Sequence, residues 1–371
     1  MDKHRGTAVS LFSGAGGMDV GFARAGFEVL WANDINDKAC ETYRRNHENQ
    51  IECGPIEEHL DSLRRFQGVD LVFGGPPCQG FSVAGRMDPE DARSQLIWKF
   101  FDVVALVQPK AFVCENVKAL AMLTKWRRVR TRMFERATEL GYDFRLVILN
   151  SSHFGVPQAR ERMFLIGSKK MPAVQHCIKL FTQYRNKPPT VREVVMGLGR
   201  AGCATNSRVC NARITMAANP VLRKSPYAGM LFNGQGRPIN PDGYSATLHA
   251  SMGGNKTPII DEEHLYDGKP SWIEEYHAHL MSGGKPLQFE GAPSRLRRLT
   301  LDEAIRMQTF PSKYEFAGSK SQIFAQVGNA VPCKLAFAVG RVVQNILSSA
   351  SPDRVVPSYE AQSDQLAFSL G

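Results

Sequence analysis

The apolar positions of this 371-residue chain fall into two textures. Up to about residue 170, short β-branched and aromatic runs alternate with longer stretches in which apolar residues recur every three or four positions. Runs 7–12, 27–32, 69–73, 109–117 and 144–149 predict buried strands, and stretches 17–26, 37–47, 95–107 and 125–140 predict helices between them. In 95–107, Leu96, Ile97, Phe100, Val103, Val104 and Val107 lie at helical spacing and read as core. Strand and helix in alternation predict an α/β fold around a mainly parallel sheet, with consecutive strands as neighbours. From about residue 171, Gly, Pro and Asn increase and the helical period fades. Segments 187–189 and 233–238 there read as linkers or recognition loops. Two more helices are predicted, 301–309, stopped by Phe310-Pro311, and 335–347. The Ser/Pro/Gln-rich tail past Ser348 is expected to be disordered.

Composition narrows the class. The chain is 43% hydrophobic and 22% charged, ordinary for a globular protein, and longer than one core usually serves, so two lobes are expected. No uninterrupted apolar run reads as long enough to cross a bilayer, and the N-terminus leads into a strand, so the chain is expected to stay in the cytosol. Eight cysteines (40, 53, 78, 114, 177, 203, 210 and 333) form no C-x-x-C pair, and His277 and His279 point to different sides of a helix. Neither a disulfide framework nor a metal site is expected. Net charge is +10, and residues 171–300 hold 16 Lys+Arg against 9 Asp+Glu, so 16 − 9 = +7. A polyanion is the natural partner.

Candidate chemistry collects at the ends of the predicted strands. After the first comes Ser13-Gly14-Ala15-Gly16-Gly17. Measured against G-x-G-x-x-G, it has Asp19 in place of the third glycine, which disfavours a pyrophosphate cradle and leaves open an adenosine without phosphates. The second strand ends in Asn33-Asp34, where a carboxylate typically bonds ribose hydroxyls. After the third comes Gly74-Gly75-Pro76-Pro77-Cys78-Gln79-Gly80-Phe81-Ser82, whose glycines and prolines fix a sharp turn. Cys78 then sits just past a strand's carboxyl end, as a candidate nucleophile or, on the competing reading, an inert buried thiol. Residues 84–94, polar and mixed in charge, suit a closing loop. The next predicted strand ends on Glu115, at the same edge as Cys78 if the two strands are neighbours; an acid there needs a role or a partner. The basic run 125–132 could meet phosphates or form a solvated helix face. Gln158, Arg160 and Arg162 alternate along an extended segment, so two guanidiniums on one face want an anion or a polarised carbonyl. Segment 245–256 mixes hydroxyl residues and glycines, suited to close approach to phosphates.

In order along the chain stand Phe12-x-Gly14-x-Gly16, Gly75-Pro76-Pro77-Cys78-Gln79, Glu115-Asn116-Val117, Gln158-x-Arg160-x-Arg162, Arg298-Leu299-Thr300 with Glu303, Arg306, Gln308 and Phe310-Pro311, and Gly328-Asn329-Ala330-Val331-Pro332. On these motifs the chain resembles a DNA (cytosine-5) methyltransferase of the compact bacterial type over nearly its whole length. The resemblance implies a Rossmann-like S-adenosylmethionine-dependent methyltransferase sheet with a smaller, irregular target recognition domain. Residues 1–170 would be the catalytic and cofactor-binding domain and 171–319 the target recognition domain; 320–348 would return to the first domain, ahead of the tail 349–371. DNA would lie in the cleft between the lobes.

The activity so implied is transfer of a methyl group from S-adenosyl-L-methionine, leaving S-adenosyl-L-homocysteine, to C5 of a cytosine flipped out of duplex DNA, with no metal. Cytosine C5 is a poor nucleophile, so Cys78 would add to C6 and turn C5 into an enamine carbon. Glu115 would bond the ring N3 and amino group, Arg162 the O2, and Arg160 would support the site and help lower the thiol pKa. The cofactor would meet Phe12, the loop Gly14, Ala15, Gly16 and Gly17, Asp34 at the ribose, Ile35 and Ile56 as apolar walls, Pro77, Asn329 and Val331. Pro55 stands before Ile56 where many relatives carry an aspartate, which leaves a backbone carbonyl to take the adenine amino group. Gln79, Ser82, Thr247 and Arg298 are the expected DNA contacts, and 79–94 corresponds to the closing loop. As partners the resemblance implies double-stranded DNA and a cognate restriction endonuclease working alongside, with the enzyme a monomer in the bacterial cytoplasm near the nucleoid. A tRNA cytosine-5 methyltransferase of similar fold and a catalytically inactive DNA-binding relative are the alternatives. The long basic segment before Arg295 favours duplex DNA, and intact Cys78, Glu115, Arg160 and Arg162 favour an active enzyme.

Overall fold

The computed structural model describes residues 6–47, 51–77, 92–169, 174, 177–287 and 292–348, with backbone alone for 92–94 and for 368–369. In chain order it begins with β1 (Gly6–Leu11), α1 (Gly17–Ala25), β2 (Phe27–Asp34), α2 (Asp37–Asn46), β3 (Ile51–Cys53), α3 (Leu60–Leu63), β4 (Leu71–Gly74), α4 (Ala92–Val107), β5 (Ala111–Val117), α5 (Lys118–Met122), α6 (Arg127–Glu139) and β6 (Asp143–Asn150). It continues through β7 (Gln158–Ala159), β8 (Glu161–Ser168), α7 (Cys177–Thr182), α8 (Val191–Met196), β9 (Met216–Val221), β10 (Met230–Phe232), β11 (Ser245–Ala246), β12 (Ile259–Asp261), α9 (Glu262–Asp267) and α10 (Trp272–Met281). The last elements are β13 (Leu296–Arg298), α11 (Leu301–Met307), α12 (Lys320–Asn329), α13 (Cys333–Ser348) and β14 (Phe368–Ser369). Two compact units result: Met1–Phe154, Glu161–Asn186 and Val331–Gly371 form the first, and Gly155–Arg160 with Lys187–Ala330 form the second. The chain thus changes units at residues other than 170 and 320, and it visits the second unit briefly at 155–160.

The first unit is built on an eight-stranded sheet of order β14-β6-β8-β5-β4-β1-β2-β3. All its pairings are parallel except those of β8, which runs antiparallel between β5 and β6. Consecutive strands are therefore not always neighbours, contrary to what the alternation alone predicts: β1 lies between β2 and β4, and β8 between β5 and β6. Side chains alternate between faces: Phe73 and Val113 join α1, α7 and α13 on one side, while Val72, Phe112 and Cys114 join α4 and α6 on the other. Helices α1 and α13 meet closely because Gly21 and Gly340 lack side chains: a Cβ on Gly21 would lie 2.4 Å from the Cβ of Ala336, and one on Gly340 2.7 Å from that of Ala25.

The register of the strands brings their polar ends into line. Leu11 of β1 pairs with Asn33 of β2 and Gly74 of β4, and Gly74 pairs with Cys114 of β5. Phe12, Asp34, Gly75 and Glu115 each follow one of these residues, so all four stand at the same carboxyl edge of the sheet, where ligands gather in open α/β folds.

Beneath that edge, Asp19 in the first turn of α1 is 0% exposed, and its Oδ1 accepts a hydrogen bond from the Tyr43 hydroxyl at 2.9 Å. Burial raises its pKa above the ordinary 3.8 to about 6, against the hydrogen bonds from Ser10 and Tyr43. Between those pH values the folded chain holds a proton that the unfolded chain has released. Stability therefore falls as pH rises through this window and is flat above it, a loss of about 3 kcal/mol from this group. Asp19→Asn should remove the slope. Denaturation midpoints of the two proteins compared across pH 4 to 6 check this, and a pH-independent difference would contradict it.

The second unit has its own core around Ile214, Met216, Leu231, Phe232, Ile259, Ile273, Tyr276, Leu280 and Leu296. It is more helical than its fading period predicts. Reciprocal capping boxes start α8 (Thr190 with Glu193), α11 (Thr300 with Glu303) and α12 (Ser319 with Gln322). Residues Lys320–Ser348 have the length and hydropathy of a membrane span. They form two helices interrupted near Pro332, and most of the apolar window is buried in the protein.

Candidate active site

At the edge of β1 and β2, Phe12 takes a left-handed conformation (φ 53°), and Gly16 (φ 75°), the residue preceding α1, does the same at no steric cost. The loop they bound is tied to β2. Asp34 Oδ2 accepts from the Gly14 N–H at 2.8 Å, its Oδ1 from the Asn36 N–H at 2.8 Å, and the Ser13 N–H donates to the Asn33 carbonyl at 2.9 Å. Burial raises the Asp34 pKa, and those N–H groups oppose the shift. Beside it Ile35 is 68% exposed, and nothing lies within 4 Å of where a Cβ on Gly14 would be. An open glycine turn, a carboxylate with lone pairs to spare and an exposed apolar side chain fit the adenosine part of a nucleoside cofactor. Ile56, the other expected wall, is 2% exposed and packs in the core with Trp31 and Leu63. Asn33 Nδ2 donates to the Glu52 and Gly54 carbonyls, both at 3.0 Å, and so holds the segment leading to Pro55. Ala15 and Gly17 are buried and Pro77 is half-buried. Val331 is 5% exposed in the core of the first unit; Asn329, in the second, is exposed.

At the edge of β4 and β5, Glu115 is 9% exposed and lies 3.0 Å from Arg162 Nε of β8. Asn116 Nδ2 donates to the Pro76 carbonyl at 3.1 Å, which locks the turn after β4 to the end of β5. Lys118 pairs with Glu161 at 2.8 Å alongside. Cys78, Gln79 and Ser82 lie outside the described residues, and the turn is described as far as Pro77.

A Cβ on Gly75 would stand 2.7 Å from Glu115 Oε2, so the carboxylate occupies space that only a glycine leaves. Gly75 and Asn116 have no part in the site that the sequence alone assigns, since the glycine pair reads only as a turn. Their role emerges from the β4–β5 register. Gly75→Ala is expected to push Glu115 aside and lower kcat by about 10- to 100-fold with cofactor affinity unchanged. Steady-state kinetics beside cofactor titration check it, and an unaltered kcat would contradict it.

Arg160 and Arg162 do not share a face. The chain leaves β7 at Ala159 and begins β8 at Glu161, and Arg160 belongs to the second unit. It is 1% exposed and donates to the carbonyls of Leu248 (3.0 Å), Gly328 (2.9 Å) and Asn329 (3.3 Å). Gln158 Oε1 accepts from the Leu248 N–H at 2.9 Å, its Nε2 donates to Gln308 Oε1 at 3.1 Å, and the Thr247 hydroxyl donates to the Ala159 carbonyl at 3.2 Å. The segment thus stitches the second unit's two halves together. Arg298, expected at DNA, is 2% exposed and donates to the carbonyls of Thr257, Ala212 and Arg213. It braces the interior of that unit rather than facing a phosphate. Arg192, Arg200, Arg208, Lys269, Arg295 and Arg297 form ion pairs within the unit. Arg213, Arg223, Lys224, Arg237 and Lys256 have no carboxylate partner among the described residues.

A mainly parallel sheet with a glycine loop, a carboxylate and a buried acid at one edge fits a Rossmann-like methyltransferase fold. The chain belongs to the C-5 cytosine-specific DNA methylase family, whose model matches residues 6–345, and is by class a DNA (cytosine-5) methyltransferase. It is 32% identical to the Type II methyltransferase M1.HphI of Haemophilus parahaemolyticus, over 91% of this chain and 86% of that one. It is 30% identical to the Type II methyltransferase M.NgoFVII of Neisseria gonorrhoeae, over 87% and 82%. Among solved structures its fold is similar to the Dnmt2 methyltransferase of S. pombe, with a TM-score of 0.64 at 18% identity, over 92% of this chain and 98% of that one. DNA methyltransferases of this family use S-adenosylmethionine.

Proposed function

We propose that this chain methylates C5 of one cytosine within a specific duplex DNA sequence, as the modification enzyme of a Type II restriction–modification pair. The observation that carries the reading is the placement of Glu115, held by Arg162 over Gly75 at the edge where the rigid turn leads to Cys78. Cys78 adds through its thiolate to C6 of the everted base, opening the C5–C6 double bond, and is expelled again when the C5 hydrogen leaves as a proton after C5 has been methylated. Glu115 holds a proton at N3 and the amino group as charge develops there, and Arg162, which already faces Glu115, bonds the cytosine O2. Arg160 is the remaining member of the proposed catalytic set, in a supporting role.

S-adenosylmethionine, when bound, supplies an electrophilic methyl group on a sulfonium. Phe12 and Ile35 would flank its adenine, Asp34 its ribose, and Gly14, Ala15, Gly16 and Gly17 would give it close backbone approach; Pro77, Asn329 and Val331 complete the proposed set. The second unit is the proposed target recognition region, with Thr247 at DNA and Gln79 and Ser82 on the closing loop. The enzyme acts as a monomer in the bacterial cytoplasm, without a metal. Relatives named as Type II methyltransferases support the pairing with an endonuclease, and the DNA family match disfavours a tRNA substrate.

Methyl incorporation into duplex DNA and into tRNA, followed by mapping of the modified cytosines, tests this. Modification of one short DNA sequence is expected. Activity on tRNA alone would overturn the reading.

A further inference from the structure

We propose that the exposed ridge of Lys125, Arg127 and Arg128 is a second phosphate-contacting surface, on the first unit, for the DNA flanking the target cytosine. It rests on the reading of duplex DNA as substrate. Helix α5 starts directly after Val117, two residues beyond Glu115, and α6 starts at Arg127. Strand β6 is parallel to β5, since both run antiparallel to β8. Helix α6 joins the two, so its first turn lies at the sheet edge of Glu115 and Gly75 and its last turn at the opposite edge.

Charge is sorted along that helix. In its lower turns Arg132 pairs with Glu135 (3.4 Å) and Glu139 (3.1 Å), and Arg136 with Glu139 (3.2 Å). At the upper end there is no acid in the first turn, and the sequence holds no carboxylate between Glu115 and Glu135. Lys125, Arg127 and Arg128 are exposed, and among the described residues no carboxylate lies within ion-pair distance of Arg127 or Arg128. Cations in the first turn of a helix face its partial positive charge. The ridge is strained further by itself: burial lowers the Arg130 pKa, and the charge of Arg127 adds to the shift.

The ridge is also rigid. Arg130 donates to the Leu120 carbonyl at 2.8 Å and the Leu123 carbonyl at 2.9 Å, which fixes the turn between α5 and α6, and the Lys125 ammonium lies 5.1 Å from the ring centroid of the buried Trp126. A fixed, mutually repelling set of cations is stabilised by an external polyanion. At this edge, beside the acid assigned to the base, the phosphates of the same duplex are the polyanion at hand.

The test is the salt dependence of duplex DNA binding for the wild-type chain, Arg127→Ala/Arg128→Ala, Arg127→Lys/Arg128→Lys, and Arg132→Ala/Arg136→Ala. The first double variant should reduce the slope of log affinity against log salt by about 1.8, from two phosphate contacts, on cognate and unrelated DNA alike. Its KM for DNA should rise with kcat at saturating DNA unchanged, and its melting temperature should not move. The lysine variant should keep the wild-type slope, and the variant of paired arginines should change it little. An unchanged slope in the alanine variant, or an equal change in the paired-arginine control, would overturn the proposal. A wild-type chain that binds no duplex DNA would instead remove the substrate reading beneath it.

Discussion

Replacing Cys78 with serine is expected to abolish methyl transfer, a loss on the order of 10⁴-fold or more, while cofactor affinity stays at the wild-type level. Strand β4 ends at Gly74, the turn through Pro76 is fastened to Asn116, and Gly75 lies against Glu115, so the described segment that precedes Cys78 in the chain is held at the edge of that acid. A serine is close to cysteine in size, but its hydroxyl stays protonated where a thiol ionises, and addition to C6 fails. Four of the other thiols are too deeply buried to compensate. Cys40, Cys114, Cys177 and Cys333 are buried, and burial pushes each well above the ordinary thiol range. Methyl incorporation measured with calorimetric cofactor binding checks this; turnover retained in the variant would contradict the nucleophile assignment.

Glu115→Gln is expected to lower kcat by about 10²- to 10³-fold, because the amide keeps the shape of the side chain but cannot hold a proton against N3 as the thiolate adds. It should also destabilise the first unit. The side chains of Arg162 and Glu115 are 15% and 12% exposed, and removing the acid leaves a largely buried guanidinium without its counter-charge at 3.0 Å. A cost of about 3 kcal/mol follows. Single-turnover rates at a temperature where both proteins are folded separate the two effects. A rate equal to wild type there would assign Glu115 to structure alone.

Much of this edge can be read from the chain before any coordinates. Asp34 and Gly74 close their strands and Glu115 lies two residues before the end of its own, each after an apolar run that the chain shows directly. What period does not carry is partner identity. The insertion of β8 between β5 and β6 depends on pairing between segments far apart, and it is this pairing that sets Arg162 against Glu115. The same limit separates Arg160 from Arg162: alternation assumes one continuous strand, whereas β7 pairs with β11 and β8 with the main sheet. Arg298 reads as a phosphate ligand because charge is visible in a sequence and burial is not. In the second unit the signals are present but quiet. Thr190 with Glu193 and Ser319 with Gln322 are capping boxes, yet α8 spans only six residues, too few to show a helical period.

Covalent capture offers the most direct test of the central claim, that Cys78 bonds to an everted cytosine. A duplex carrying 5-fluorocytosine at the mapped target position is incubated with the protein and S-adenosylmethionine, then denatured and analysed by mass spectrometry. Fluorine at C5 cannot leave as a proton does, so the account predicts a denaturation-stable protein–DNA adduct on the peptide containing Cys78, absent from the serine variant. A duplex that is bound yet forms no adduct, or an adduct on another residue, would contradict it.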